Sequence, residues 1–177
     1  VAAVGADKLL IGAPSDDTAG TDAGAAYLFD MSGNLLATLL NPTPALGDNF
    51  GNALAAVGPD KVLIGARSDD TGAANSGSAY LFDLSGRLLL SIPNPAPGAS
   101  DQFGAAVVAF SLHRVAIGAI ADDTGVADAG QVHLMVLDDY AEGLTADSIR
   151  YGAVDADSLA AGAVSSTAIQ DGTIAVA

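Results

Sequence analysis

The sequence has no cysteine and no tryptophan, only six lysines and arginines, and no apolar run of membrane-spanning length. Each absence removes a class of chemistry. Without Cys there is no disulfide staple, no thiolate nucleophile and no zinc–thiolate site, although the compartment stays open. The longest apolar stretches, such as "LLATLL" from Leu35 to Leu40, fall well short of the roughly 20 residues a spanning helix needs, so membrane insertion is not expected. The scarcity of basic residues leaves 21 Asp and Glu largely unopposed, for a formal net charge of −15. Such a surface repels nucleic acid phosphates and anionic lipid heads, so neither is an expected partner, whereas cations are attracted. Charged residues amount to only 15% of the chain, so the surface must rely on Ser, Thr, Asn and Gly. No Ser stands in a G-x-S-x-G setting, which leaves a hydrolase without a nucleophile elbow. No signal-peptide pattern is visible and residue 1 is Val, so the chain reads as a processed product or an excerpt.

What the sequence does have is repetition. "IGAPSDDTAGTDAGAAYLFD" (Ile11 to Asp30) returns as "IGARSDDTGAANSGSAYLFD" (Ile64 to Asp83) and as "IGAIADDTGVADAGQVHLMV" (Ile117 to Val136), at a step of 53 residues. Asp48-Asn49-Phe50-Gly51 returns as Asp101-Gln102-Phe103-Gly104 at the same step. A fixed period of this size signals blades, coils or arrays. Four short apolar runs punctuate the second unit: Asn52 to Gly58, Lys61 to Ala66, Ser78 to Asp83 and Leu88 to Ile92. Gly, Pro, Asp and Asn clusters bound them, and none holds a helical period, so all four read as strands joined by hairpins. Four antiparallel strands repeated at a period near fifty describe a β-propeller blade, and the fold class is all-β. Alternation through "AYLFD" predicts that Ile11, Ile64, Ile117, Leu28, Leu81 and Leu134 are buried between β layers.

The Phe-Gly pairs at Phe50-Gly51 and Phe103-Gly104, combined with "IGAP", "IGAR" and "IGAI", resemble the FG-GAP repeat of integrin α heads and many bacterial extracellular proteins. The "DDTG…AG.AYLFD" segment is closer to the bacterial variety. The resemblance covers roughly Val1 to Asp138 and implies extracellular propellers used for adhesion or assembly, without catalysis. The expected blade region is 1–139, three repeats, with the first truncated and the third lacking its last strand. Closed propellers typically need four to eight blades, so three leave edges and faces open.

From about Tyr140 the pattern changes. Leu144, Ile149, Val154, Leu159, Val164, Ile169 and Ile174 fall at every fifth residue, with Gly152, Gly162 and Gly172 adding a ten-residue superperiod. Five is the period of neither a plain strand nor a plain helix. Residues 140–177 are therefore expected to form a β-solenoid-like or intertwined stalk. They resemble decad repeats in stalks of bacterial surface proteins and phage tail fibres.

The Asp-rich loops are the one candidate site: Asp16, Asp17 and Asp22; then Asp69, Asp70 and Asn75; then Asp122, Asp123 and Asp128. Clustered hard oxygens are what Ca²⁺ requires, since it takes six to eight of them. Yet the first two carboxylates of each loop are adjacent, and the integrin resemblance would imply alternate spacing. Asp, Asn and Thr also bond their own backbone in turns, and that structural reading is preferred. Asp48 and Asp101 are expected to cap neighbouring amides, Phe50 and Phe103 to plug the core between blades. His133 occupies the position of Tyr27 and Tyr80 and reads as a packing residue. No cofactor is expected, with Ca²⁺ as the alternative.

These features together predict a non-enzymatic extracellular or cell-surface structural and adhesive protein that assembles with copies of itself into a fibre or ring. A calcium-binding module that recognises a protein or glycan, and a phage tail fibre component, are the alternatives.

Overall fold

The computed structural model describes residues 1–126 and 129–137. Among these there is no helix, and eleven strands form three antiparallel sheets. The first sheet runs β1 (Ala2–Val4), β2 (Lys8–Ala13), β3 (Ala25–Asp30) and β4 (Leu35–Leu40); the second runs β5 (Phe50–Val57), β6 (Lys61–Ala66), β7 (Ser78–Asp83) and β8 (Leu88–Pro93). Both are simple meanders, each strand beside its sequence neighbour. The third pairs β9 (Phe103–Ser111), β10 (Arg114–Ala119) and β11 (Gln131–Val136) in the same way. These are the units expected from the 53-residue step. The place where the third unit is expected to lack its last strand, and the stalk expected over 140–177, lie outside the described residues.

One local signal repeats in the hairpins between third and fourth strands. Asp30 Oδ1 accepts from the Ser32 and Asn34 amides, at 2.8 Å each, while Gly33 takes a positive φ of 86°. Asp83 does the same for Ser85 and Arg87, at 2.9 and 3.0 Å, with Gly86 at 90°. The carboxylate closes the turn and glycine supplies the left-handed residue, which is why "D-x-S-G" punctuates the strands.

Packing between sheets follows strict alternation. In β6, Val62, Ile64 and Ala66 face the first sheet, where they join Val4, Leu10, Leu28 and Leu39 in one buried cluster. Leu63, between them, faces the third sheet and joins Leu81, Ile92, Phe103, Val115 and Ile117 in another. The middle sheet is thus buried on both sides. Each fully buried Val, Leu, Ile or Phe contributes about 1.5–3 kcal/mol relative to exposure.

The six positions expected to be buried divide according to this layering. Ile64, Ile117, Leu28 and Leu81 are buried, and Ile11 is half-buried. Leu134 is 74% exposed, contrary to expectation, because it lies on the outer face of the third sheet, where no described residue covers it. Period-2 alternation assigns a side chain to a face; it does not say whether anything packs there.

Candidate functional site

The Asp loops connect the second and third strands of each sheet. Asp16 Oδ1 accepts from the Thr18 amide at 2.8 Å, and its Oδ2 accepts from the Tyr27 hydroxyl at 2.6 Å. Asp69 repeats both, from the Thr71 amide at 2.8 Å and the Tyr80 hydroxyl at 2.5 Å. Asp122 accepts from the Thr124 amide at 2.7 Å. The second carboxylate turns elsewhere: Asp17 Oδ1 accepts from the Asp22 amide and Asp70 Oδ1 from the Asn75 amide, each at 2.8 Å. Asp22 and Asn75 both sit at a positive φ of 51°, a conformation that short Asx side chains tolerate. Adjacent carboxylates therefore diverge, one toward the tyrosine and one across the loop, rather than converging on a point. Among the described residues no group of three or more His, Asp or Glu side chains is placed to hold a metal ion. Asp123 lies in the third loop, and Asp128 lies outside the described residues.

Ionisation follows from these bonds. Hydrogen bonds from Thr18, and then from Tyr27, hold Asp16 below the ordinary carboxylate value. Its carboxylate in turn pushes the Tyr27 hydroxyl up. Burial first, and the bond to Asp69 second, push Tyr80 up further. Thr124 lowers Asp122, and Ser85 takes Asp83 down to about 2.

The more elaborate construction lies where one sheet meets the next. Phe50 and Phe103 are fully buried. The Phe50 ring packs at 5.9 Å from Tyr80 and edge-on at 5.8 Å from Phe82; Phe103 meets His133 edge-on at 5.3 Å. The following glycines let backbones touch. A Cβ on Gly12 would strike the Gly51 carbonyl, and one on Gly65 would strike the Gly104 carbonyl. Gly24 and Gly77 form parallel bridges to Phe50 and Phe103. Just ahead of each Phe-Gly, Asp48 Oδ2 accepts from the Ala45 amide and from Asn41 Nδ2, both at 2.7 Å. Asp101 repeats this with the Gly98 amide at 2.7 Å and Asn94 at 2.8 Å. Both Asp residues are buried caps, and burial raises Asp48 above its usual value.

This geometry accounts for every element of the repeated motif: Phe fills the inter-sheet core, its Gly admits the neighbouring backbone, and the "IGA" glycine receives its carbonyl. Residues 35–82 match the family described as the FG-GAP repeat. Those residues are an FG-GAP repeat. The match runs from β4 of the first sheet through β7 of the second, so the FG-GAP unit straddles the join between two blades. No match emerged among curated proteins.

Some contributors carry no motif. Asn52 Oδ1 accepts from the Arg67 amide at 3.1 Å, while its Nδ2 reaches the Gly104 and Ala105 carbonyls at 3.3 and 3.2 Å. Thr43 Oγ1 lies 2.9 Å from the Tyr80 hydroxyl. The recurrence of Asn41 and Asn94, each seven residues before a buried Asp, was a usable signal; Asn52 and Thr43 have no counterpart in the next unit, where Ala105 and Ala96 stand.

Proposed function

We propose that the chain is an extracellular, non-enzymatic adhesion or recognition module of the β-propeller type. FG-GAP repeats typically occur in extracellular proteins and form a repeat domain without catalysis. The observation that carries the reading is how the chemistry-bearing side chains are used: carboxylates close turns, tyrosines bond them, and the same arrangement recurs from blade to blade. Catalysis needs a locally unique set of groups, and repeated units supply none. Such a module offers a rigid frame whose exposed loops and faces meet a protein or glycan, and its partners include copies of itself.

The test uses the purified chain, fluorescently labelled, on intact cells and on immobilised glycans. Saturable binding that disappears when the blades are unfolded by heat or urea supports the reading. Turnover of simple ester, glycoside or phosphoester substrates would refute it.

A further inference from the structure

We propose that Asp122 and His133 together bind one divalent metal ion of the zinc class, which joins the third Asp loop to β11 where a tyrosine hydroxyl makes that link in the first two sheets. The proposal is independent of what the module adheres to. In the first sheet the Tyr27 hydroxyl donates to Asp16 Oδ2 at 2.6 Å, and in the second the Tyr80 hydroxyl donates to Asp69 Oδ2 at 2.5 Å. His133 stands at the corresponding position of β11. An imidazole is shorter than a phenol, and its Nε2 stops 4.0 Å from Asp122 Oδ2. Both atoms are buried, and neither has a hydrogen-bond partner among the described residues.

The pair has the chemistry for such an ion. Imidazole nitrogen and carboxylate oxygen are both zinc ligands at about 2.0–2.2 Å. Around a tetrahedral ion two such donors lie about 3.4 Å apart, so the 4.0 Å gap narrows by about 0.6 Å on binding. Both side chains are already oriented. Asp122 Oδ1 accepts from the Thr124 amide at 2.7 Å, which leaves Oδ2 as the donor to the ion. The same Thr124 bonds hold the carboxyl below its ordinary value, so it is charged at neutral pH. The His133 ring is set edge-on against Phe103, with centroids 5.3 Å apart. Room for the ion comes from Ala96. Thr43 and Ala96 occupy equivalent turns, each donating its amide to the Asn two residues earlier, at 3.1 and 3.0 Å. Thr43 places a hydroxyl 2.9 Å from that of Tyr80, and Ala96 has none to place. The His133 side chain is 15% exposed, so water reaches the ion and completes its coordination. Ca²⁺ is a poor fit, because it calls for six to eight oxygens and this pair supplies one oxygen and one nitrogen.

Two histidines and no cysteine make the binding easy to trace. Two protein ligands hold an ion weakly compared with the four of a structural zinc site, so the experiment adds Zn²⁺ to the full chain dialysed free of metal. Its Tm should rise by about 3–6 °C when Zn²⁺ is about tenfold above its Kd, and Ca²⁺ at the same concentration should give no rise. His133→Tyr and His133→Gln should abolish the response, Asp122→Asn should reduce it, and His113→Gln should keep it. Nitrogen resonances of the two imidazoles give a second readout on the unsubstituted chain, which stands even where a variant fails to fold. Zn²⁺ should shift the His133 ring and leave the His113 ring in place. A rise that survives His133→Gln, no rise at millimolar Zn²⁺, or a His133 ring that Zn²⁺ leaves unshifted would overturn the proposal.

Discussion

If Ala96 is replaced by Thr and His133 by Tyr, the join between the second and third blades acquires a polar cluster that already exists one join earlier. There, the Tyr80 hydroxyl donates to Asp69 Oδ2 at 2.5 Å and lies 2.9 Å from Thr43 Oγ1. Fifty-three residues on, Asp122 Oδ2 and His133 Nε2 stand 4.0 Å apart, and neither has a hydrogen-bond partner among the described residues. Ala96 has no hydroxyl to offer. An unsatisfied buried polar atom costs about 1–3 kcal/mol, and a hydrogen bond to a charged group contributes about 1.5–3 kcal/mol. The phenol has room, because His133 already packs on Phe103 much as Tyr80 packs on Phe50. Allowing for water reaching the His133–Asp122 gap, the double variant should gain about 1–3 kcal/mol. For a chain of this size that is about 2–4 °C in Tm per kcal/mol. Thermal and urea unfolding of His133→Tyr, Ala96→Thr and the pair form a double-mutant cycle. His133→Tyr should supply most of the gain, Ala96→Thr alone almost none, and the pair more than their sum, because the introduced threonine hydroxyl needs the phenol as partner. A double variant no more stable than the unsubstituted chain, with its strand signal intact, would refute the reasoning.

Gly65→Ala forces a Cβ into the Gly104 carbonyl and should cost about 3 kcal/mol. At the corresponding Gly118 the nearest atom to an added Cβ is the Ala106 Cβ at 3.5 Å; Gly118→Ala should change stability by less than about 1 kcal/mol in dilute protein, and equal losses in urea melts would count against the repeated join. Because burial raises Asp48 above 3.8 in the folded chain, its contribution to stability is full below that value and is lost as the pH rises through the folded value. Relative to Asp48→Asn, the unsubstituted chain should lose stability from pH 4 to pH 7, and a relative gain over that range would contradict the burial argument. Ca²⁺ or chelator should leave Tm unchanged, because the Asp16, Asp17, Asp69 and Asp70 carboxylates already accept amide or hydroxyl hydrogens. A rise with Ca²⁺ that Asp16→Asn and Asp69→Asn each diminish would show a metal site instead.

Much of this molecule is legible one unit at a time. Strand runs such as Lys61 to Ala66, the hairpin closed by Asp83 and Gly86, and the 53-residue step depend on residues a few places apart. Neighbours in sequence impose pleat, turn and period, so those features follow from the order of residues alone. The caps made by Asp48 and Asp101 were legible for the same reason, since each bonds an amide three residues back. What the loops do with adjacent carboxylates was not legible. Asp69 is turned inward by a tyrosine eleven residues away, and Asp70 is held across the loop by Asn75; only the folded backbone decides that they diverge. The same holds for the bare face at Leu134, the bond from Thr43 to Tyr80 across 37 residues, and the unmatched Asp122–His133 pair. These contacts form through space between blades, and a period along the chain carries no record of which faces meet.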